Sequence, residues 1–146
     1  MLRTHTCGEL NKSHVGTKAT LCGWVSARRD HGKLIFIDVR DRYGNTQIVF
    51  VPSVSKLAHQ VAEKLGPEFV IKVTGDVVAR QEKAINKDKA TGEIEICALE
   101  LEIINTSEVP VFEIDNPGEV SEELRLTYRY LDLRRERLKN NLIARS

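Results

Sequence analysis

The sequence is poor in thiols, and none sits in metal-binding or disulfide spacing. Cys7, Cys22 and Cys97 are odd in number and far apart, and no Cys-x-x-Cys pair occurs. The histidines His5, His14, His31 and His59 do not cluster with them. A disulfide framework and a zinc site are therefore excluded, and free thiols are expected. No apolar run approaches the roughly 20 residues that span a bilayer. The opening MLRTHTCGEL holds no apolar signal core, so a cytoplasmic protein is expected. There is no phosphate-binding glycine loop, no nucleophile elbow and no His-x-x-x-His pair. Asp38, Asp41, Glu93 and Glu95 supply carboxylates, but nothing nearby selects a working pair, so no catalytic residue and no metal ligand is assigned. Bulk charge is missing too. A net charge of +1 does not mark a nucleic-acid binder by itself. Any such binding would need local patches, at residues 27–30 (ARRD), 40–42 (RDR) or 79–89, and each of these also reads as a solvated loop.

What is present is an ordinary globular composition, 41% hydrophobic and 29% charged over 146 residues. Residues 17–29 read as a first strand, with a Gly-Trp pair that can bend it. Residues 30–33 form a turn, and LIFIDVRD (34–41) alternates as a second strand. RYGN (42–45) makes a short hairpin connection to a third strand at 46–51. The period then changes. Val54, Leu57, Val61 and Leu65 fall on one face of a helix, with Ser53 as cap and Gly66-Pro67 as stop. Strand character returns at 68–80, with Phe69, Ile71 and Val73 on one side. A polar loop at 81–92 carries three lysines and is long for a hairpin. The last strand, 93–104, slips its apolar phase from Ile94 and Ile96 to Leu99, Leu101 and Ile103, which predicts a bulge. Five strands with a helix between the third and fourth give the order of an OB-fold, a Greek-key barrel that is mostly β. An open α+β sheet with one covering helix is the alternative. Residues 1–105 form this domain, 106–120 a linker, and 121–146 a helical segment capped by Ser121, with Leu124, Tyr128, Leu131, Leu138 and Leu142 as its stripe. That pattern runs to the last residue without a stop signal, as the start of a further region would.

Alternation turns Ile35, Ile37 and Val39 to the core and Phe36 outward, beside Asp38 and Arg40. In the third strand Ile48 and Phe50 are core, so Gln47 points outward as well, and one of Arg28 and Arg29 joins them. An aromatic, an amide and a guanidinium on one barrel face suit an unpaired base. The ring stacks, the amide meets a Watson–Crick edge, and the guanidinium holds a phosphate or a base. On pattern alone a single outward Phe such as Phe36 is more often covered by a loop, a helix or a partner, and Gln47 is more often a solvated amide.

TCGEL (6–10), SHVG (13–16), ATLCGWV (19–25), RRDHG (28–32), IFIDVRD (35–41), ATGEIEI (90–96) and RYLDLRR (129–135) resemble, in order and spacing, the N-terminal region of bacterial aspartyl-tRNA synthetases. Lysyl- and asparaginyl-tRNA synthetases share the OB domain, but the LCGWV, RRDHG and IFIDVRD motifs are similar to the aspartyl branch. The resemblance implies a class II enzyme whose N-terminal OB domain binds the tRNA anticodon. The full enzyme would join aspartate to tRNA through an aspartyl-adenylate, with ATP and Mg2+, as a cytoplasmic homodimer. The catalytic part would lie beyond residue 146, and this chain would bind tRNA without charging it, holding no cofactor.

By the same resemblance, Phe36 occupies the position that stacks on an anticodon base. Gln47 and Arg29 match positions that contact bases, chiefly the central uridine. Arg80, Asn86 and Glu95 match further anticodon-side positions. Ala84 departs from the polar residue often found in that loop, so a contact there is lost. His31 and residues 81–86 match the region that distinguishes aspartate tRNA from asparagine tRNA, and a histidine there fits the type that charges both. Two other classes stay open: a stand-alone single-strand-binding OB module, and a paralogue that uses the fold for protein contacts.

Overall fold

The computed structural model describes residues 1–115 and 118–146. They divide into two compact units, Met1–Val109 and Pro110–Ser146.

The first unit is a closed barrel. Strands β1 (Lys18–His31), β2 (Leu34–Arg40), β3 (Asn45–Phe50), β4 (Val70–Ala79) and β5 (Ile94–Asn105) are ordered β1-β2-β3-β5-β4, and β4 pairs back onto β1. All neighbours are antiparallel except β3 and β5. Helix α1 (Lys56–Ala62) joins β3 to β4. This is the OB-fold order expected from the sequence, and closure removes the open-sheet alternative. Inward residues of every strand meet in one core, including Leu21, Val25, Ile37, Val39, Ile48, Phe50, Ile71, Val73, Ile94 and Ile96.

Closure depends on bulges. Between Thr74 and Gly75 the register against β5 shifts, so Leu99 is the extra residue opposite them. This is the phase slip read in the last strand. A Cβ on Gly75 would lie 2.2 Å from the Cys97 carbonyl oxygen, so only glycine lets the strands approach so closely there. A second shift falls between Val25 and Ala27. β1 pairs with β4 over Lys18–Trp24 and with β2 over Trp24–His31, so it bends from one half of the barrel to the other near Gly23-Trp24.

Several boundaries and one helix face differ from the sequence reading. β1 runs on to His31, and the turn shrinks to Gly32 and Lys33, with Gly32 at φ +60° where glycine is favoured. The second hairpin turns at residues 41–44, where Asp41 Oδ1 accepts from the backbone N–H of Tyr43 (2.7 Å) and Gly44 (3.0 Å). The cap of α1 is Ser55 and not Ser53. Its buried face is Ala58 and Ala62, continued by Leu65, whereas Leu57 is 77% exposed and Val54 50%. The small alanines let the helix backbone lie close on the barrel, which an apolarity count along the sequence cannot weigh.

Ser55 does two jobs. Its hydroxyl accepts from the Ala58 N–H at 3.3 Å and donates to the carbonyl of the bulged Leu99 at 2.8 Å. Ser55→Ala is therefore expected to lower unfolding free energy by about 1–2 kcal/mol, read by urea denaturation. A loss under a few tenths would show that neither bond matters.

In the second unit, the segment read as one helix is three: α2 (Glu122–Thr127), α3 (Arg129–Asp132) and α4 (Glu136–Arg145). Tyr128, at φ −108° and ψ 50°, breaks the first join. Asp132 is buried and accepts from Arg125 Nε at 3.2 and 3.3 Å, an ion pair that a hydrophobic stripe does not reveal. The stretch read as linker contributes buried Phe112 and Ile114, with the Arg135 guanidinium 5.9 Å from the Phe112 ring centroid. Part of that stretch, residues 116 and 117, lies outside the described residues.

Candidate nucleic-acid interface

The outward faces of β1, β2, β3 and β5 carry a connected row of polar side chains next to one aromatic ring. β2 lies in the middle. Phe36 faces outward from it, half-buried, with Arg29 and Val49 as its cross-strand neighbours. The His31 ring meets Phe36 edge-on at 5.6 Å between centroids. Two residues along, Asp38 also points outward yet is only 4% exposed, because cationic side chains cover it. Arg29 Nη1 and Nη2 donate to its two oxygens at 3.3 and 3.2 Å. Lys89 Nζ donates to Oδ2 at 3.1 Å.

The row continues from there. Arg29 Nη2 also donates to Gln47 Oε1 at 3.0 Å, and Gln47 Nε2 donates to Glu95 Oε2 at 2.7 Å. Pairing explains the order. Gln47 sits opposite Asp38, diagonal to Phe36, and the parallel register of β3 and β5 brings Glu95 alongside Gln47. Arg29, Phe36, Gln47, Glu95 and His31, all singled out from the sequence, thus share one surface.

The remaining candidates sit differently. Arg80 donates from Nε to the Ile94 carbonyl at 2.8 Å, while its Nη2 is buried with no hydrogen-bond partner. Burial lowers its pKa from the ordinary value; the Glu95 and Asp38 charges oppose that, and Arg29 adds to it. Asn86 holds the shape of its own loop. Its N–H donates to the Gly92 carbonyl at 3.1 Å, and its Oδ1 accepts from the Asp88 N–H at 3.0 Å. Ala84 offers its carbonyl to Arg80 Nη1 at 3.4 Å.

Of the basic patches, much is already engaged. Arg28 turns to the other side, donating to the Glu63 carbonyl at 2.9 Å near the end of α1 and to Asp30 Oδ1 at 3.0 Å. That contact with Asp30 raises the Arg28 pKa and lowers that of Asp30. Arg40, expected beside Phe36 on the open face, is instead withdrawn against Glu68 with only 13% of its side chain exposed. Lys83 and Lys87 of the 81–92 loop remain exposed.

Asp38 and Lys89 are the members that sequence reading left without a role. Asp38 was legible as an outward residue between Phe36 and Arg40. Lys89 was not, because it reaches Asp38 across 51 positions only through the path of its loop. The three thiols are free, and burial raises the pKa of each. Among the described residues no three His, Cys, Asp or Glu side chains converge to hold a metal ion. No helix among them is long and apolar enough to cross a membrane.

A closed five-stranded barrel with an outward aromatic ring and an ordered guanidinium–amide row on its β1–β2–β3 face has the form of an OB-fold nucleic-acid-binding domain. Residues 19–104 match the tRNA anticodon family, described as an OB-fold nucleic acid binding domain, and the chain belongs to that family. It is 54% identical over 143 residues to an aspartate–tRNA(Asp/Asn) ligase of Acidobacterium capsulatum, covering 98% of this chain and 23% of the relative. It is 54% identical over 138 residues to an aspartate–tRNA ligase of Listeria monocytogenes, covering 94% of this chain and 23% of that one. Asparaginyl-tRNA synthetase from Pyrococcus horikoshii, solved with asparaginyl-adenylate, superposes with a TM-score of 0.76 at 34% identity, over 92% of this chain and 29% of that chain. The resemblance to the aspartyl branch read from the motifs agrees with these relatives. The chain spans about a quarter of the length of the curated relatives it matches.

Proposed function

We propose that this chain is the anticodon-binding region of an aspartate–tRNA ligase and takes the anticodon loop of tRNA on the β1–β2–β3 face. The observation that carries the reading is the outward Phe36 ring beside an amide and a guanidinium already held in place. A loop nucleotide that unstacks from RNA can lay its base on such a ring and turn its Watson–Crick edge to the row. In this reading Phe36 stacks, Gln47 and Arg29 meet the central uridine, and Arg80, Asn86 and Glu95 line the anticodon side of the site. In the same reading His31, edge-on to the Phe36 ring, reads the neighbouring base, and the enzyme accepts asparagine as well as aspartate tRNA.

The whole enzyme then works in the cytoplasm as a homodimer that joins aspartate to tRNA by way of an aspartyl-adenylate. ATP and Mg2+ supply the activation chemistry there. In this reading those groups belong to the catalytic part and not to the residues of this chain. Its own work is to bind and orient RNA.

The test is binding of the chain to an RNA stem-loop carrying G-U-C at the anticodon positions, compared with a scrambled loop on the same stem and a pyrimidine-rich single strand. The stem-loop should bind about tenfold tighter or better than either control, on the scale of a base-edge contact. A G-U-U stem-loop should bind comparably if asparagine tRNA is also accepted. Equal binding of all the RNAs would point to a general single-strand binder, and no binding at all to a protein-contact role.

A further inference from the structure

We propose that Glu95 and Arg29 lock the Gln47 amide in one polarity, and that this lock, not the amide alone, makes the site choose uracil over cytosine. The inference rests on the RNA-binding reading above. A carboxamide has nearly isosteric ends. Left free, it can turn over and offer donor and acceptor in either order. Uracil presents an N3–H donor flanked by carbonyl acceptors, whereas cytosine presents an N3 acceptor beside an amino donor. A freely turning amide can therefore satisfy both.

Here it cannot turn. Gln47 Oε1 accepts from Arg29 Nη2 at 3.0 Å, and Nε2 donates to Glu95 Oε2 at 2.7 Å. Guanidinium nitrogens only donate and carboxylate oxygens only accept. Reversal would break both bonds and set the carbonyl against Glu95 and the amino group against Arg29. Arg29 cannot swing away to relieve this, because both of its terminal nitrogens engage Asp38, itself nearly fully buried and further held by Lys89. Asp38 is thus a positioning residue that acts through Arg29. What Gln47 has left for a ligand is one N–H and one oxygen lone pair in fixed places. A base laid on Phe36, diagonal to Gln47, has its plane set by the ring. With both plane and amide fixed, a single donor–acceptor order fits.

The lock is tested with Glu95→Gln, because a glutamine side chain can partner either amide orientation. Binding of the chain is measured to the G-U-C stem-loop and to its G-C-C counterpart, with the ratio of the two dissociation constants as the readout. The unchanged chain should favour the uridine form by about tenfold or more, and Glu95→Gln, which releases one of the two grips while Arg29 keeps the other, should cut that preference by about half or more. A melting curve must show the variant folded, because an unfolded chain that binds both RNAs through charge alone would also equalise them. If Glu95→Gln weakens both RNAs by the same factor and keeps the ratio, the lock is overturned while the RNA-binding reading survives. If the unchanged chain binds neither stem-loop in preference to a scrambled loop, that reading falls first and the lock with it.

Discussion

Phe36→Ala should weaken binding of the G-U-C stem-loop by about 1–3 kcal/mol, the scale of one base stacked on an aromatic ring. That is roughly a 5- to 150-fold rise in Kd. The ring is outward on β2 and outside the buried core cluster, so its loss removes little folding energy. Urea unfolding of the variant should therefore stay close to that of the unchanged chain while RNA affinity falls. Phe36→Trp offers a larger stacking surface at the same place and should keep most of the affinity. Phe36→Leu matches much of the apolar area without a π face and should not. If Phe36→Ala binds the stem-loop as well as the unchanged chain does, the ring is a surface residue without a nucleotide partner, and the site on this face is lost with it.

The largest expected effect on the fold comes from a pair that the sequence did not announce. Arg40 Nη2 lies 2.7 Å from both carboxylate oxygens of Glu68, with side chains 13% and 10% exposed. Glu68 has little room to move away. Its backbone sits at φ +62°, and its N–H donates to the Val25 carbonyl at 2.8 Å, tying the approach to β4 against the β1 bulge. Arg40→Ala leaves a largely buried carboxylate without this partner, a loss of about 3–5 kcal/mol. Against the roughly 5–15 kcal/mol that holds a typical domain together, this should shift the urea midpoint strongly. The double variant Arg40→Met with Glu68→Gln removes both charges and should recover a large part of the loss, since no carboxylate then stays buried after losing its guanidinium. A single variant that loses under about 1 kcal/mol would mean the pair behaves as a surface ion pair.

Much of the barrel was legible because its signals are local. Alternation in LIFIDVR places Ile35, Ile37 and Val39 inward and Phe36 outward from neighbours one position apart, and the burial of β2 follows it at every position but Asp38. The slip in β5 was visible as two apolar phases within one run, and the bulge at Leu99 lies where they meet. The helix between β3 and β4 was legible as a change of period, but its face was not. Ala58 and Ala62 are buried because they fit against the barrel, and Leu57 is exposed in spite of its apolarity. The three-helix break after Thr127 was hidden for a similar reason: Leu124, Tyr128 and Leu131 keep helical spacing across a residue whose backbone leaves the helix.

The site divides along the same line. Chain order and side-chain alternation by themselves determined the strand sequence, the place of the helix between the third and fourth strands and the aromatic turned toward solvent, since each follows from contacts within a few residues. Only the folded chain decided that Asp38 is buried under Arg29 and Lys89, that Arg40 leaves the open face for Glu68, and that Glu95 and Arg29 grip opposite ends of one amide. Those partners are brought together by strand register and by the path of the 81–92 loop. Such long-range pairings are set when the barrel closes, and no periodicity along the sequence encodes them.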